Sequence, residues 1–446
     1  MIRLFDDLEQ ARNTVLRRRG PVREAWSKEL LAGIERVFAE PITPPEAVAR
    51  ILADVRQRGD EALREWTAKT DGVDLDALDI PQSAWEEAYA RISPSLVQAM
   101  EMAAERIRAF HACQPISSWT TCDLGGQLGQ RVQPLDRVGV YVPGGTAPLP
   151  SSLLMAAVPA RVAGVRHVIV CTPPGTAAGG RVDDVTLAAA QIAGVDAVFA
   201  VGGAQAIGPM TFGTEAISRV DKIVGAGGLF VTLAKRHVYG FVGLDGVHGP
   251  TETVVVADDS ANPVWVASDL LAQAEHDPLA TAILLTPSGE LAVAVQREVR
   301  RQLDDRERAD ILRASLEGQG GIVVTPDLAT AVGLADEFAP EHLCLSVRDA
   351  EQWAQRVRNA GGLFLGEHSF EVLGDYVAGP SHIMPTGGTA RFSSPLNVLD
   401  FVKITSIIAL DPTTAGQLCG GAAQLALAES LDGHAAAATQ RKGTVT

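Results

Sequence analysis

Between residues 137 and 228 the chain repeats one pattern. A short run of β-branched residues ends in a glycine or proline turn, and an apolar helical stretch follows. Strands read at 138–142, 167–171, 197–201 and 222–224. They end at Pro143-Gly144-Gly145, Pro173-Pro174-Gly175, Gly202-Gly203 and Gly225-Ala226-Gly227-Gly228. Helices read at 151–163, 183–192 and 204–212. A period of about 30 residues per strand and helix predicts a parallel sheet, because parallel neighbours need a crossover and not a tight hairpin. Ligands of such sheets sit outside the carboxyl ends of the strands, where these turns fall. None of the turns reads GxGxxG, so the ordinary dinucleotide fingerprint is absent, and turns of this kind are more often plain than nucleotide-binding.

A second alternating unit begins at Glu252. Residues 253–257 read as a strand, and Asn262 caps a helix with Pro263 at its first position, over 264–275. Strands at 281–285, 321–324, 343–347 and 363–365 follow, with a charged helix over about 289–308. Residues 1–135 are mostly helical. In 44–59, for example, Val48, Ile51, Leu52 and Val55 fall on one face. The fold class expected is α/β: two incomplete Rossmann-like parallel-sheet lobes with small N-terminal and C-terminal helical extensions. The expected division is an extension at 1–22, a first lobe from 23–137 and 252–395, a second lobe at 138–251, and an Ala-rich helical tail at 396–446.

The 446 residues suffice for two such lobes and their appendages, and 46% apolar with 21% charged residues is an ordinary globular balance. The formal charge of −16, without a basic aromatic platform, argues against a nucleic-acid partner. The most apolar segment, near 153–165, is broken by Pro159 and Arg161 before the roughly 18–20 residues of a membrane span. The charged first residues lack the apolar core of a secretory signal. A cytoplasmic protein with no membrane partner is expected. The scattered Cys113, Cys122, Cys171, Cys344 and Cys419 form no CxxC and read as reduced thiols.

Four of the nine histidines sit beside acids or amides in turn-like contexts: His276, His342, His382 and His434. Gln273 and His276 lie three apart at the end of the Asn262-capped helix and share a face. By themselves they read more readily as a surface glutamine and a dipole-stabilised histidine than as a ligand pair. Glu341-His342 follows Ala339-Pro340 and opens a strand. It reads either as two proton-transfer groups or as an exposed loop pair. Residues 374–394 pack Asp375, Tyr376, Pro380, His382, Pro385 and Arg391 into an aperiodic stretch rich in Gly, Ser and Thr, more suggestive of a functional loop than a plain one. Glu429 and His434 close the tail helix, where a histidine is normally a dipole partner. Two histidines, an aspartate and an amide oxygen would suit zinc, but spacing alone does not bring these residues together.

The combination is more specific than its parts. Arg137-Val-Gly-Val-Tyr-Val-Pro-Gly-Gly-Thr-Ala147, Val201-Gly-Gly-Ala-Gln-Ala-Ile207, Asp269-Leu-Leu-Ala-Gln-Ala-Glu-His276, Phe338-Ala-Pro-Glu-His-Leu343 and the stretch 374–394, with Glu429 and His434 at matching spacing, resemble the histidinol dehydrogenase family over about 25–440. The resemblance implies an enzyme that takes L-histidinol through L-histidinal to L-histidine, with two NAD⁺ and one zinc ion per subunit. It implies metal ligands at Gln273, His276, Asp375 and His434, and proton transfer by Glu341 and His342. Substrate contacts would also fall on Thr251, His382 and Glu429, and nucleotide contacts on Tyr141, Gln205 and Gly228. The first lobe would carry the metal ligands and the catalytic pair, and the second the nucleotide side. A homodimer is implied, whose tail carries Glu429 and His434 into the neighbour's site. The chain departs from the family where Gly225-Ala-Gly-Gly228 replaces the usual Gly-Pro-Gly-Asn, where Thr251 replaces serine, and at Val247-His248-Gly249. The first of these implies altered nucleotide contact. The alternative is a paralogous zinc and NAD⁺ dehydrogenase of another small polar alcohol, such as a sulfonated diol.

Overall fold

A computed structural model describes residues 2–18, 20, 26–144, 148–175 and 180–441. Gly145, Thr146 and Ala147 of the first glycine turn lie outside the described residues, as do Met1, Arg19, Pro21 and Val22 of the expected extension. The chain forms two compact units, one of Met1–Cys113 with Asp136–Phe401 and one of Gln114–Leu135 with Val402–Thr446.

The larger unit holds two parallel sheets. The first runs in the order Arg3–Phe5, Gly321–Val324, Thr281–Thr286, Glu252–Ala257, His342–Ser346 and Gly362–Leu365, all parallel. Its central strand shows why. Val254, Val255 and Val256 are fully buried, because helices cover both faces of a crossover-built sheet. Alternate side chains serve alternate faces. Val255 and Ala257 pack with Ala267, Leu270 and Leu271, while Val254 and Val256 pack with Ala331 and Ala335. The second sheet runs Asp79–Ile80, Ala197–Ala200, His167–Thr172, Arg137–Tyr141, Lys222–Val224 and Gly243–Leu244, parallel except for its first edge strand. The α/β class with two parallel-sheet lobes is therefore as the repeat predicts.

The division of the chain differs from expectation in three places. Residues 1–22 are not merely a helical extension, since Arg3–Phe5 is an edge strand of the first sheet and Ile2, Phe5, Ala11 and Val15 are buried in that lobe. Residues 44–112 join the second lobe and not the first. Val48, Ile51, Leu52, Val55 and Trp66 share a core with Tyr141, Ile169 and Phe199, and Pro94–Ala112 packs on Pro150–Val162. Helical periodicity shows that a face is buried, not which sheet receives it. The tail is not wholly helical. In the smaller unit, Val402–Ala409 pairs antiparallel with Gln127–Pro134, which also pairs with Trp119–Thr121, and the helices Pro412–Ala428 and Asp432–Thr439 follow.

Candidate active site

The metal and proton-transfer candidates of the larger unit gather at the amino edge of the first sheet, around the neighbouring strands Glu252–Ala257 and His342–Ser346, where Thr253 stands opposite His342. Local sequence dictates each placement. The Leu328–Phe338 helix ends at Ala339, in the left-handed region at φ 52°. Pro340 cannot extend that helix, so Glu341 and His342 enter the strand directly. The Pro263–Ala274 helix is capped by Asn262, whose Oδ1 accepts from the Val264 N–H at 2.9 Å. It returns along the sheet and delivers Gln273 and His276 in and just beyond its last turn.

Glu341 and His342 are both buried. Glu341 Oε2 accepts from Thr251 Oγ1 at 2.5 Å and from the Glu252 N–H at 3.0 Å. Burial pushes the Glu341 carboxyl up to about 7, against the pull of His342 and these donors. His342 Nδ1 lies 3.2 Å from the Glu252 carbonyl. A carbonyl only accepts, so this nitrogen carries the proton in the neutral ring. The Nε2 face then looks toward Asp375 Oδ1, at 3.5 Å. Burial opposes a charge on His342, but Glu371, Glu341 and Asp375 together outweigh it and hold its pKa well above the usual imidazole value.

Asp375 lies on the short helix Glu371–Tyr376, four residues after Glu371, so both acids point from one helix face. Burial pushes Glu371 up to about 8, the largest influence on it. Asp375 resists the same penalty because His342 holds its carboxyl below the ordinary range. Burial lowers the pKa of His276 and of His382, which favours neutral rings able to offer a lone pair. His276 is exposed as a residue. His382 is fixed between Asp375 O, 2.7 Å from Nδ1, and Ser152 Oγ of the second lobe, 3.2 Å from Nε2.

These groups fit a divalent cation. Ligand atoms of His342, Glu371 and Asp375 all lie within 4.8 Å of one another, a triad that shares only Asp375 with the ligands the resemblance implies. Asp375 acts electrostatically on His276, and the fully buried Gln273 has an amide nitrogen with no protein partner. Neutral imidazole with carboxylate and amide oxygens is a donor set that zinc accepts. Of the ligands that the resemblance implies, Gln273, His276 and Asp375 belong to this unit. His434 and Glu429 belong to the smaller unit, where both are exposed.

The nucleotide candidates lie in the second lobe. Tyr141 is buried, and its Oη accepts from the Gly203 N–H at 3.1 Å. Gln205 is also buried, and its amide donates to Thr70 Oγ1 at 3.0 Å and Asp71 Oδ2 at 3.3 Å. A cavity of about 440 Å³ opens beside Gly203 and Gln205, with Lys69, Asp71 and Phe230 in its wall. Gly228 caps the Leu229–Val238 helix at φ −66°, and a Cβ there would meet nothing within 4 Å. Gly225 is the constrained member of that turn. Its φ is +107°, and a Cβ would fall 2.2 Å from Tyr141 O. The turn is pinned as well: the buried Lys235 Nζ donates to Gly225 O at 2.9 Å and pairs with Asp245 at 2.5 Å, while Asp245 accepts the Gly225 N–H at 2.7 Å.

Glu371, Thr253 and Ser152 are site residues that sequence reasoning missed. Glu371 was findable from its four-residue spacing to Asp375, once a helix is recognised there. Thr253 was findable as the polar residue leading into the apolar run Val254–Ala257. Ser152 carried no signal.

A buried acid and imidazole beside a carboxylate–imidazole cluster, on two parallel-sheet lobes with a cavity beside Gly203 of the second, give an α/β protein the groups of an enzyme site. The family profile described as histidinol dehydrogenase matches residues 40–442. Histidinol dehydrogenase of Deinococcus radiodurans is 50% identical over 414 residues, 92% of this chain and 94% of that one. That of Thermus thermophilus is 51% identical over 393 residues, covering 88% and 93%. The crystal structure of histidinol dehydrogenase from Elizabethkingia anophelis superposes with a TM-score of 0.89 at 32% identity, covering 99% of this chain and 98% of that one. The chain belongs to the histidinol dehydrogenase family of NAD-dependent oxidoreductases. Among the described residues no helix is long and apolar enough to cross a membrane.

Proposed function

We propose that this chain oxidises L-histidinol through L-histidinal to L-histidine in the cytoplasm, passing one hydride to each of two NAD⁺. The observation that carries the reading is the buried Glu341–His342 pair set against Asp375, beside Gln273 and His276. Zinc, one per subunit, fits Gln273, His276 and Asp375 with His434 from a second copy. When bound, it supplies a template for the substrate's amine and imidazole. Nucleotide contacts are assigned to Tyr141, Gln205 and Gly228, and substrate contacts to Thr251, His382 and Glu429, the last from the second copy.

His342 is oriented for the first step. Its Nδ1–H is engaged by the Glu252 carbonyl, so in the neutral ring, which a cation beside Asp375 would favour by offsetting the surrounding carboxylates, Nε2 takes the alcohol proton as hydride leaves the carbinol carbon for NAD⁺. The nearby carboxylates stabilise the imidazolium that forms. Glu341, with a pKa near 7, is matched to taking a proton from water as it adds to the aldehyde. The second hydride then leaves the hydrate and gives the acid. Thr251 and the Glu252 N–H hold the Glu341 carboxyl in place.

Product analysis tests the substrate. Zinc-loaded protein given L-histidinol and NAD⁺ should form L-histidine, and a panel of sulfonated diols should form little NADH. Turnover of the diols with none of histidinol would replace this reading by the paralogue.

A further inference from the structure

Thr253 is fully buried on the central strand. Its Oγ1 lies 3.0 Å from Gln273 Oε1 and in hydrogen-bond contact with Glu371 Oε2. A hydroxyl has one proton to donate. With Glu371 ionised, the form that a cation bound beside it favours, both neighbours of the hydroxyl are acceptors, while the glutamine NH₂ is buried without a partner. Turning the amide over, which exchanges two groups of nearly equal shape, removes both defects. The NH₂ then donates to Thr253 Oγ1, Thr253 donates to Glu371, and Gln273 Oε1 faces away from Thr253, free to ligate a cation. The reverse chain, with Glu371 donating, would hold the NH₂ where the ligand oxygen must be, and a donor cannot bind a cation.

We propose that Thr253 is a positioning residue for the metal site. Its hydroxyl relays the acceptor character of Glu371 to Gln273 and fixes the glutamine with its oxygen toward the cation. This rests on the proposed ligand set of Gln273, His276 and Asp375. Its role is orientation and not coordination, because Thr253 itself reaches Gln273 and Glu371.

The test is zinc affinity, measured by competition with a chromophoric chelator on the full-length protein. Thr253→Val keeps the shape and removes the hydroxyl, and should weaken zinc binding about 10–100-fold, the usual loss when a supporting partner is removed. Thr253→Ser, which keeps the hydroxyl, should restore affinity to about threefold of the starting protein or better. The decisive comparison is made in a Gln273→Glu background. A carboxylate presents oxygen in either orientation, so Thr253→Val should there have no effect on affinity. Equal losses in both backgrounds, or no loss in either, would overturn the proposal. If T253V does not fold, Thr253→Ala carries the same comparison. Should the starting protein bind no stoichiometric zinc, or His276→Asn bind it unchanged, the ligand set itself falls and the proposal with it.

Discussion

Glu341→Gln separates the stability cost of the site from its chemistry. Glutamine matches the volume of the buried carboxyl and keeps an oxygen for Thr251 Oγ1 and the Glu252 N–H, but it cannot ionise. In the folded protein the Glu341 carboxyl titrates at about 7 in place of 4.5. Between those values the unfolded chain has given up a proton that the folded chain retains, so stability falls as pH rises through this window, and the loss is complete above about 7. The displacement corresponds to roughly 3 kcal/mol. The metal-free variant should therefore gain on the unsubstituted protein between pH 5 and pH 8, from near parity to as much as about 3 kcal/mol. Denaturant unfolding at the two pH values, with chelator present, reads the difference. A variant whose relative stability does not rise from pH 5 to pH 8 would mean that Glu341 is not held protonated by burial. In the zinc-loaded enzyme the same substitution should leave alcohol oxidation partly working and slow aldehyde oxidation by about 10²–10⁴, the usual worth of a general base. Equal loss in both steps would contradict the division of roles.

Three further outcomes are expected. His276→Asn should remove stoichiometric zinc, read by elemental analysis after gel filtration, and retained metal would defeat its assignment as a ligand. Gly228→Asn has open space for its side chain. It should stabilise the Leu229–Val238 helix by a few tenths of a kcal/mol through a better N-cap and lower KM for NAD⁺ with kcat held. An unchanged KM would detach this turn from nucleotide binding. If His434 serves a second copy, mixing His276→Asn with His434→Asn chains after reversible dissociation should regain about a quarter of full activity, because each mixed dimer rebuilds one intact site. No recovery from a mixture shown to contain mixed dimers would exclude the exchange.

Much of the architecture was legible because its signals are local. Glycine turns end the strands Arg137–Tyr141 and Lys222–Val224, and Asn262-Pro263 starts a helix, because backbone conformation and capping act over a few residues. What escaped depends on distant partners. Arg3–Phe5 is a strand because Gly321–Val324 offers it an edge, and three residues carry no period of their own. Glu371–Tyr376 is a six-residue helix, too short to be stable without tertiary packing. With its start unread, Asp375 was seen and Glu371 was not. The pairing of Glu341 with His342 was visible as a dipeptide, but only burial gives Glu341 its raised pKa and only Glu252 O selects the His342 tautomer. The roles proposed for Gln273, His434 and Gly228 rest on resemblance to a family and not on local physics.

The proposed function is a four-electron oxidation at a metal-dependent site. The most direct test is the NADH formed per molecule of L-histidinol consumed by the zinc-loaded protein, beside a chelated control. Two NADH per histidinol are expected, lost on chelation and restored by zinc. One NADH with histidinal accumulating, or undiminished turnover in the chelated protein, would contradict it.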